Sequence, residues 1–191
     1  MRKSRQETIE TRKRIVEAAS VKFRMHGIEG TGLTGLMAAA GLTHGGFYRH
    51  FESKGQIVAE ACESSIDSLM GRLEAILSGE GGGGGFEAIV ASYLSVRNRD
   101  DLAFSCPYAS LGSELARDDV QVKDVATTGL ERVVDLLTAQ LTQDSGSLAR
   151  TRALAAISTM VGALTLSRIT SRKKLSTEIL DAAVSHLTQP Q

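Results

Sequence analysis

A small-residue run, Leu36-Met37-Ala38-Ala39-Ala40, ends on Gly41, and the chain then passes through Phe47-Tyr48-Arg49-His50-Phe51 to Ser53-Lys54. The run has room for only a short helix, because Gly41 supplies the left-handed stop that ends such helices. Thr43 stands where it can cap a second short helix. The inner side of that helix carries Phe47, and its other surface offers His44, Tyr48, Arg49 and His50. Two short helices joined by a Gly-containing turn make a helix-turn-helix. Such a unit cannot bury its own apolar side, and Ile15, Val16, Ala19 and Phe23 supply a third helix that closes its core. The second helix of such a unit lies in the major groove of DNA, so this segment points to DNA binding.

The rest of the chain is compatible with helices throughout. It has 191 residues, 42% of them apolar, with no Trp, two Pro and few alternating β-branched runs. That composition predicts an all-α fold with room for a sizeable core. Apolar spacing and stop signals predict nine helices. These cover about 9–26, 33–40, 44–50 and 53–78, a fifth from Phe86 ended by Arg97-Asn98-Arg99-Asp100-Asp101, and a short sixth opened by Pro107. The seventh runs from Asp118-Asp119 through Leu141, the eighth over about 148–170 and the ninth over about 176–188. Residues 1–8 read as a mobile arm. The run Gly79-Glu80-Gly81-Gly82-Gly83-Gly84-Gly85 reads as a flexible loop. No Lys-Ser/Thr follows it, which argues against a phosphate-binding loop. A DNA-binding domain over 1–55 and a helical body over 56–191 follow from this order.

Net charge is zero overall, yet residues 1–55 carry ten Lys/Arg against five acids, +5, and the remainder twelve against seventeen, −5. A basic head on an acidic body suits a DNA-binding unit joined to an effector unit. The N-terminus has no apolar core of a signal peptide and no run reaches membrane-span length, so the chain reads as cytoplasmic, without a membrane partner. His26, His44, His50 and Cys62 lack ligand spacing, so no metal site is expected. No nucleophile–base pair or carboxylate pair stands out, so neither catalytic residues nor a cofactor are expected.

On the motifs quoted above, residues 12–60 resemble the DNA-binding region of TetR-type transcriptional regulators. Further matching features are Phe23-Arg24-Met25-His26-Gly27 and Ile28-Glu29-Gly30-Thr31. Gly32 and Gly35 depart from the pattern, which usually has a hydroxyl or charged residue around the start of the second helix. The resemblance implies a ligand-responsive regulator, usually a repressor, released from a palindromic double-stranded DNA operator by a small-molecule inducer. The DNA-contacting set it implies is Thr34, Thr43, His44, Gly45, Gly46, Tyr48, Arg49, His50 and Lys54. Tyr48 and Lys54 suit phosphate contacts, which fix register, whereas His44 at the first turn suits base reading.

For the body, helical geometry together with the resemblance implies a pocket lined by Ile66, Met70, Tyr93, Phe104, Cys106 and Tyr108. Cys106 immediately precedes a helix starting at Pro107, where the positive end of the dipole lowers a thiol pKa. One reading makes it an electrophile or oxidant sensor, as in some TetR-type regulators; the other makes it a buried packing residue. The resemblance also implies a homodimer through the last two helices. The interface residues expected are Ala153, Ala156, Ile157, Met160, Leu164, Ile179, Leu180, Ala183, Val184 and Leu187. Rival readings, weaker on this sequence, are an enzyme or a helical protein-interaction module.

Overall fold

The computed structural model describes residues 5–79, 84–142 and 146–189, and among them every regular element is a helix. The order is α1 (Arg5–His26), α2 (Leu33–Ala39), a 3-10 helix (His44–Arg49), α3 (Lys54–Leu77), α4 (Phe86–Tyr93) and α5 (Val96–Asp100). There follow α6 (Pro107–Leu115), α7 (Val120–Gln140), α8 (Gly146–Ile169) and α9 (Lys173–Thr188). Most of the glycine run, the arm 1–4 and the turn 143–145 lie outside the described residues.

Local signals set most boundaries. Gly27 and Gly41 adopt φ of 79° and 73°, conformations that end α1 and α2 without the Cβ penalty. Ser53 Oγ accepts from Gln56 N at 3.1 Å, and Asp119 Oδ1 from Val122 N at 3.0 Å, so both act as N-caps. Pro107 takes the first helical position of α6, where a missing N–H costs nothing.

Three elements differ from expectation. The helix at 44–49 is 3-10 rather than α, with no side-chain cap from Thr43. Gly45 and Gly46 lower its helix propensity, and the segment is held by Phe47, which is fully buried. The expected fifth helix breaks into α4 and α5 after Leu94. There Ser95 Oγ caps Asn98 N at 3.1 Å, and Asn98 Nδ2 donates back to Tyr93 O at 2.6 Å. Helix α1 begins at Arg5, so residues 5–8, expected in a mobile arm, are helical.

One continuous apolar core runs from Ile15 and Phe47 in the head to Ala183 in α9. Helix α3 is its spine, packed against α1 along one side and α7 along another. In the body, α8 lies between α7 and α9. This arrangement gives the residues expected at a dimer face a place inside the single chain. Ala153, Ala156, Ile157, Met160, Leu164, Leu180 and Ala183 are buried within the single chain, while Ile179, Val184 and Leu187 are half-buried against the same core. Their small and aliphatic surfaces seat α8 among its own neighbours, leaving the opposite face of α8 outward. Leu148, Leu154 and Leu166 are exposed on that outer side, with Ala155 and Ser158 between them.

Candidate DNA-binding face and ligand cavity

The head presents one polar surface over a rigid apolar floor. Phe47 stacks on Phe51 at 5.4 Å between ring centroids, and Tyr48 meets its edge at 5.2 Å. With Phe47 locked inward, its neighbours must point outward: Tyr48 is 68% exposed, and His44, Arg49 and Thr43 are also exposed. Thr34 is exposed on α2, and Gly45 has open space where a Cβ would stand. Gly46 is half-buried, and a Cβ added there would stand 3.5 Å from Met37 Cε, an ordinary contact. Lys54, at the first turn of α3, and His50 are half-buried. His50 lies beside Phe51, with 6.5 Å between ring centroids.

Arg12 fastens this unit to α3. Its guanidinium donates to His50 O and Glu60 Oε1 and lies 4.3 Å above the Phe51 ring. Arg24 is also occupied internally, donating to Ser65 Oγ and, through Nε at 2.8 Å, to Ala103 O. Two of the ten head cations therefore serve packing rather than the outer face. Burial lowers Arg24 to about 10, still charged at neutral pH.

The body holds a cavity of about 530 Å³. Its walls are α3 (Leu69, Arg72, Leu73, Ile76), α4 (Tyr93), α5 (Arg97, Asn98) and the segment carrying Asp101, Phe104 and Cys106. Of the expected pocket residues, Tyr93, Phe104 and Cys106 line it. The other three do not. Ile66 is packed on α7, where a Cβ on Gly129 would come within 2.4 Å of Ile66 Cδ1. Tyr108 donates to Ala126 O at 2.7 Å and so pins α6 to α7, and Met70 is buried in the core. Sequence reasoning missed Arg72, Arg97 and Asp101 because it sought only apolar and aromatic lining. The available signal was a charged residue, Arg72, set in the helical row Leu69, Leu73, Ile76.

Cys106 is 1% exposed, and burial pushes its thiol up despite backbone N–H contacts from Tyr108 and Ala109. Of the two readings of Cys106, the buried packing residue fits this covering better than the sensor.

Comparison with known proteins follows the same division between head and body. Residues 15–61 match the model of bacterial regulatory proteins, tetR family. The HTH-type transcriptional regulator AcrR of Shigella flexneri is 40% identical over 73 residues, 38% of this chain and 34% of AcrR. In its head the chain is thus similar to TetR-family regulators. Solved TetR-type structures extend the likeness to the body. A TetR transcriptional regulator from Chloroflexus aurantiacus J-10-FL shares 26% identity with a TM-score of 0.74, over 95% of this chain and 94% of that one. The reduced form of NemR from E. coli shares the fold, with a TM-score of 0.75 at 22% identity over 94% and 95% of the two chains. The TetR-type head is thus matched in sequence, while the matched stretch spans about a third of AcrR's length. No helix among the described residues is long and apolar enough to cross a membrane.

Proposed function

We propose that this chain is a TetR-type, ligand-responsive transcription regulator, a repressor that binds a palindromic operator as a homodimer and leaves it when a small molecule enters the body. The observation that carries the reading is the 3-10 helix. Its buried Phe47 fixes the segment's orientation, while His44, Tyr48 and Arg49 stay exposed and Lys54 follows at the first turn of α3. The domain assignment that goes with it places the DNA-binding unit at 1–55 and the ligand and dimer unit at 56–191, with α3 common to both. An operator as target places the working protein in the cytoplasm.

The repressor role is supported by matched relatives, among them KstR2 of Mycolicibacterium smegmatis, an HTH-type transcriptional repressor, 33% identical over 66 residues. The rival readings, enzyme or protein-interaction module, find no such support in those relatives. The cysteine-sensor variant is not favoured, because Cys106 is buried and its thiol is held protonated.

A gel shift with the DNA upstream of the chain's own gene tests the proposal. Binding at low salt should weaken steeply as salt rises, because each neutralised phosphate releases counterions. Lys54→Ala and Tyr48→Phe should weaken binding alike across sequences, whereas His44→Ala should change base preference. No binding to any palindrome in that DNA at low salt would end the regulator reading.

A further inference from the structure

The body cavity has an uneven charge lining. Arg72, Arg97 and Asp101 all line it, giving one net positive charge on the wall. Two further guanidiniums lie within electrostatic reach of the same wall, Arg168 near Tyr93 and Cys106 and Arg24 near Cys106. Both are satisfied by protein groups. Arg168 donates to Arg99 O at 3.0 Å and Asn98 O at 2.9 Å, and Arg24 donates to Ala103 O. Arg72 differs. The hydrogen bond of its guanidinium goes to Ser68 Oγ at 2.9 Å, and among the described residues no carboxylate lies within ion-pair distance of it. An arginine carries five N–H donors, so most of its capacity remains for an occupant.

A second, independent feature lies on the same wall. The Tyr93 hydroxyl is buried, with the residue 5% exposed, and makes no hydrogen bond of ordinary geometry; its near neighbour is the Cys106 thiol, a weak partner. An unpartnered buried hydroxyl is costly unless something accepts its proton. Leu69, Leu73, Ile76 and Phe104 supply an apolar remainder. A donor-rich, net-positive end joined to an apolar body fits one class of molecule.

We propose that the cavity binds a small organic anion, with its carboxylate taken by Arg72 and the Tyr93 hydroxyl and its apolar part laid against Leu69, Leu73 and Ile76. The proposal rests on the regulator reading for its purpose and on the cavity alone for its chemistry. Carboxylate oxygens satisfy both donors at once, and a charge-assisted pair to arginine is stronger than a neutral one. The volume lies within the usual range of small-molecule sites. A cation would meet the net-positive wall, and a neutral amide would leave Arg72 without its counter-charge.

Calorimetry on the full chain with three probes of one length, octanoate, octanamide and octylammonium, tests the class. Octanoate should bind about tenfold or more tightly than octanamide, and octylammonium should not bind. Arg72→Leu should abolish the preference for octanoate over octanamide. Tyr93→Phe removes a hydroxyl whose protein neighbour is the weak Cys106 thiol, so its melting temperature should hold or rise while octanoate binding weakens severalfold. Equal binding of octanoate and octanamide, no octanoate binding at millimolar concentration, or an unchanged affinity in Tyr93→Phe would each overturn the proposal. The gel shift of ligand-free protein is run in parallel. A chain that binds DNA but not octanoate sinks only the anion site, whereas one that binds octanoate but not DNA sinks only the regulator reading.

Discussion

Cys106 stands where two electrostatic influences oppose each other. The start of α6 stabilises a thiolate, through the helix dipole and the N–H groups of Tyr108 and Ala109. Burial disfavours it, and burial is the larger effect. Cys62 is pushed the same way, from 9.0 to about 11, by desolvation first and then by Asp118 and Glu63. Both folded-state values lie above the unfolded ones, so the native chain holds these protons more tightly. Their contribution to stability is complete below the ordinary thiol value of 9.0 and is lost as pH rises through the folded values, about 11 for Cys62. The melting temperature should therefore fall on the alkaline side, and iodoacetamide should label neither thiol quickly at pH 7 unless denaturant is added. Rapid labelling of Cys106 in the native chain would reverse this account and reopen the sensor reading. Pro107 and the helix start beside Cys106 were legible in sequence. The covering of Cys106 was not, because Tyr93 and the α3 wall arrive from distant parts of the chain.

Among elements, legibility followed the range of the determining contact. Gly27, Gly41, Ser53, Pro107 and Asp119 act on residues within one turn, and each helix end they mark was readable from local chemistry. The break after Leu94 hinged on the Asn98 side chain reaching Tyr93 O, which apolar spacing does not report. Least readable was the tie between head and cavity. Arg24, at the end of α1, holds Ala103 O in the segment whose neighbours Asp101, Phe104 and Cys106 line the cavity. Glu114 on α6 accepts from Ile28 N at 2.9 Å and Glu29 N at 3.1 Å, just beyond the same helix. An occupant that displaces the 101–106 segment thus acts on α1 directly, alongside any movement of α3. Arg24→Met keeps the bulk and removes the donors, at a cost of about 1–3 kcal/mol for the carbonyl and hydroxyl left behind. Hydrogen exchange should then quicken at 101–106 and around 27–31, with α7 and α8 unchanged. Uniform quickening, or none, would remove Arg24 as the tie.

At the scale of the whole molecule, the two faces of α8 decide how copies assemble. The sequence offered one helix rich in Ala, Leu and Gly, with a period that marks an apolar surface without saying whose. Burial resolves it: Ala149, Ala153, Ala156 and Ala163 let α8 approach its own neighbours, while Ala155, Ser158, Gly162 and Leu166 run along the outer side. A proposed dimer built on α8 and α9 must use that outer side. Gly162 makes the test clean, since a Cβ there meets nothing within 4 Å in its own chain. Gly162→Arg should leave helical circular dichroism intact, because a surface change in the monomer costs no more than about 0.5 kcal/mol. Placed in a symmetric interface, the same charge faces its own copy, and light scattering should show the mass fall to that of one chain. Operator binding should fall with it, because the two recognition helices must reach half-sites roughly 34 Å apart together. Ala156→Arg makes the contrast, since it buries an unpaired charge inside the chain and should unfold the body rather than release folded monomers. A Gly162→Arg protein that keeps the mass of two chains would move the interface elsewhere, and an unmodified protein with the mass of one would remove the dimer.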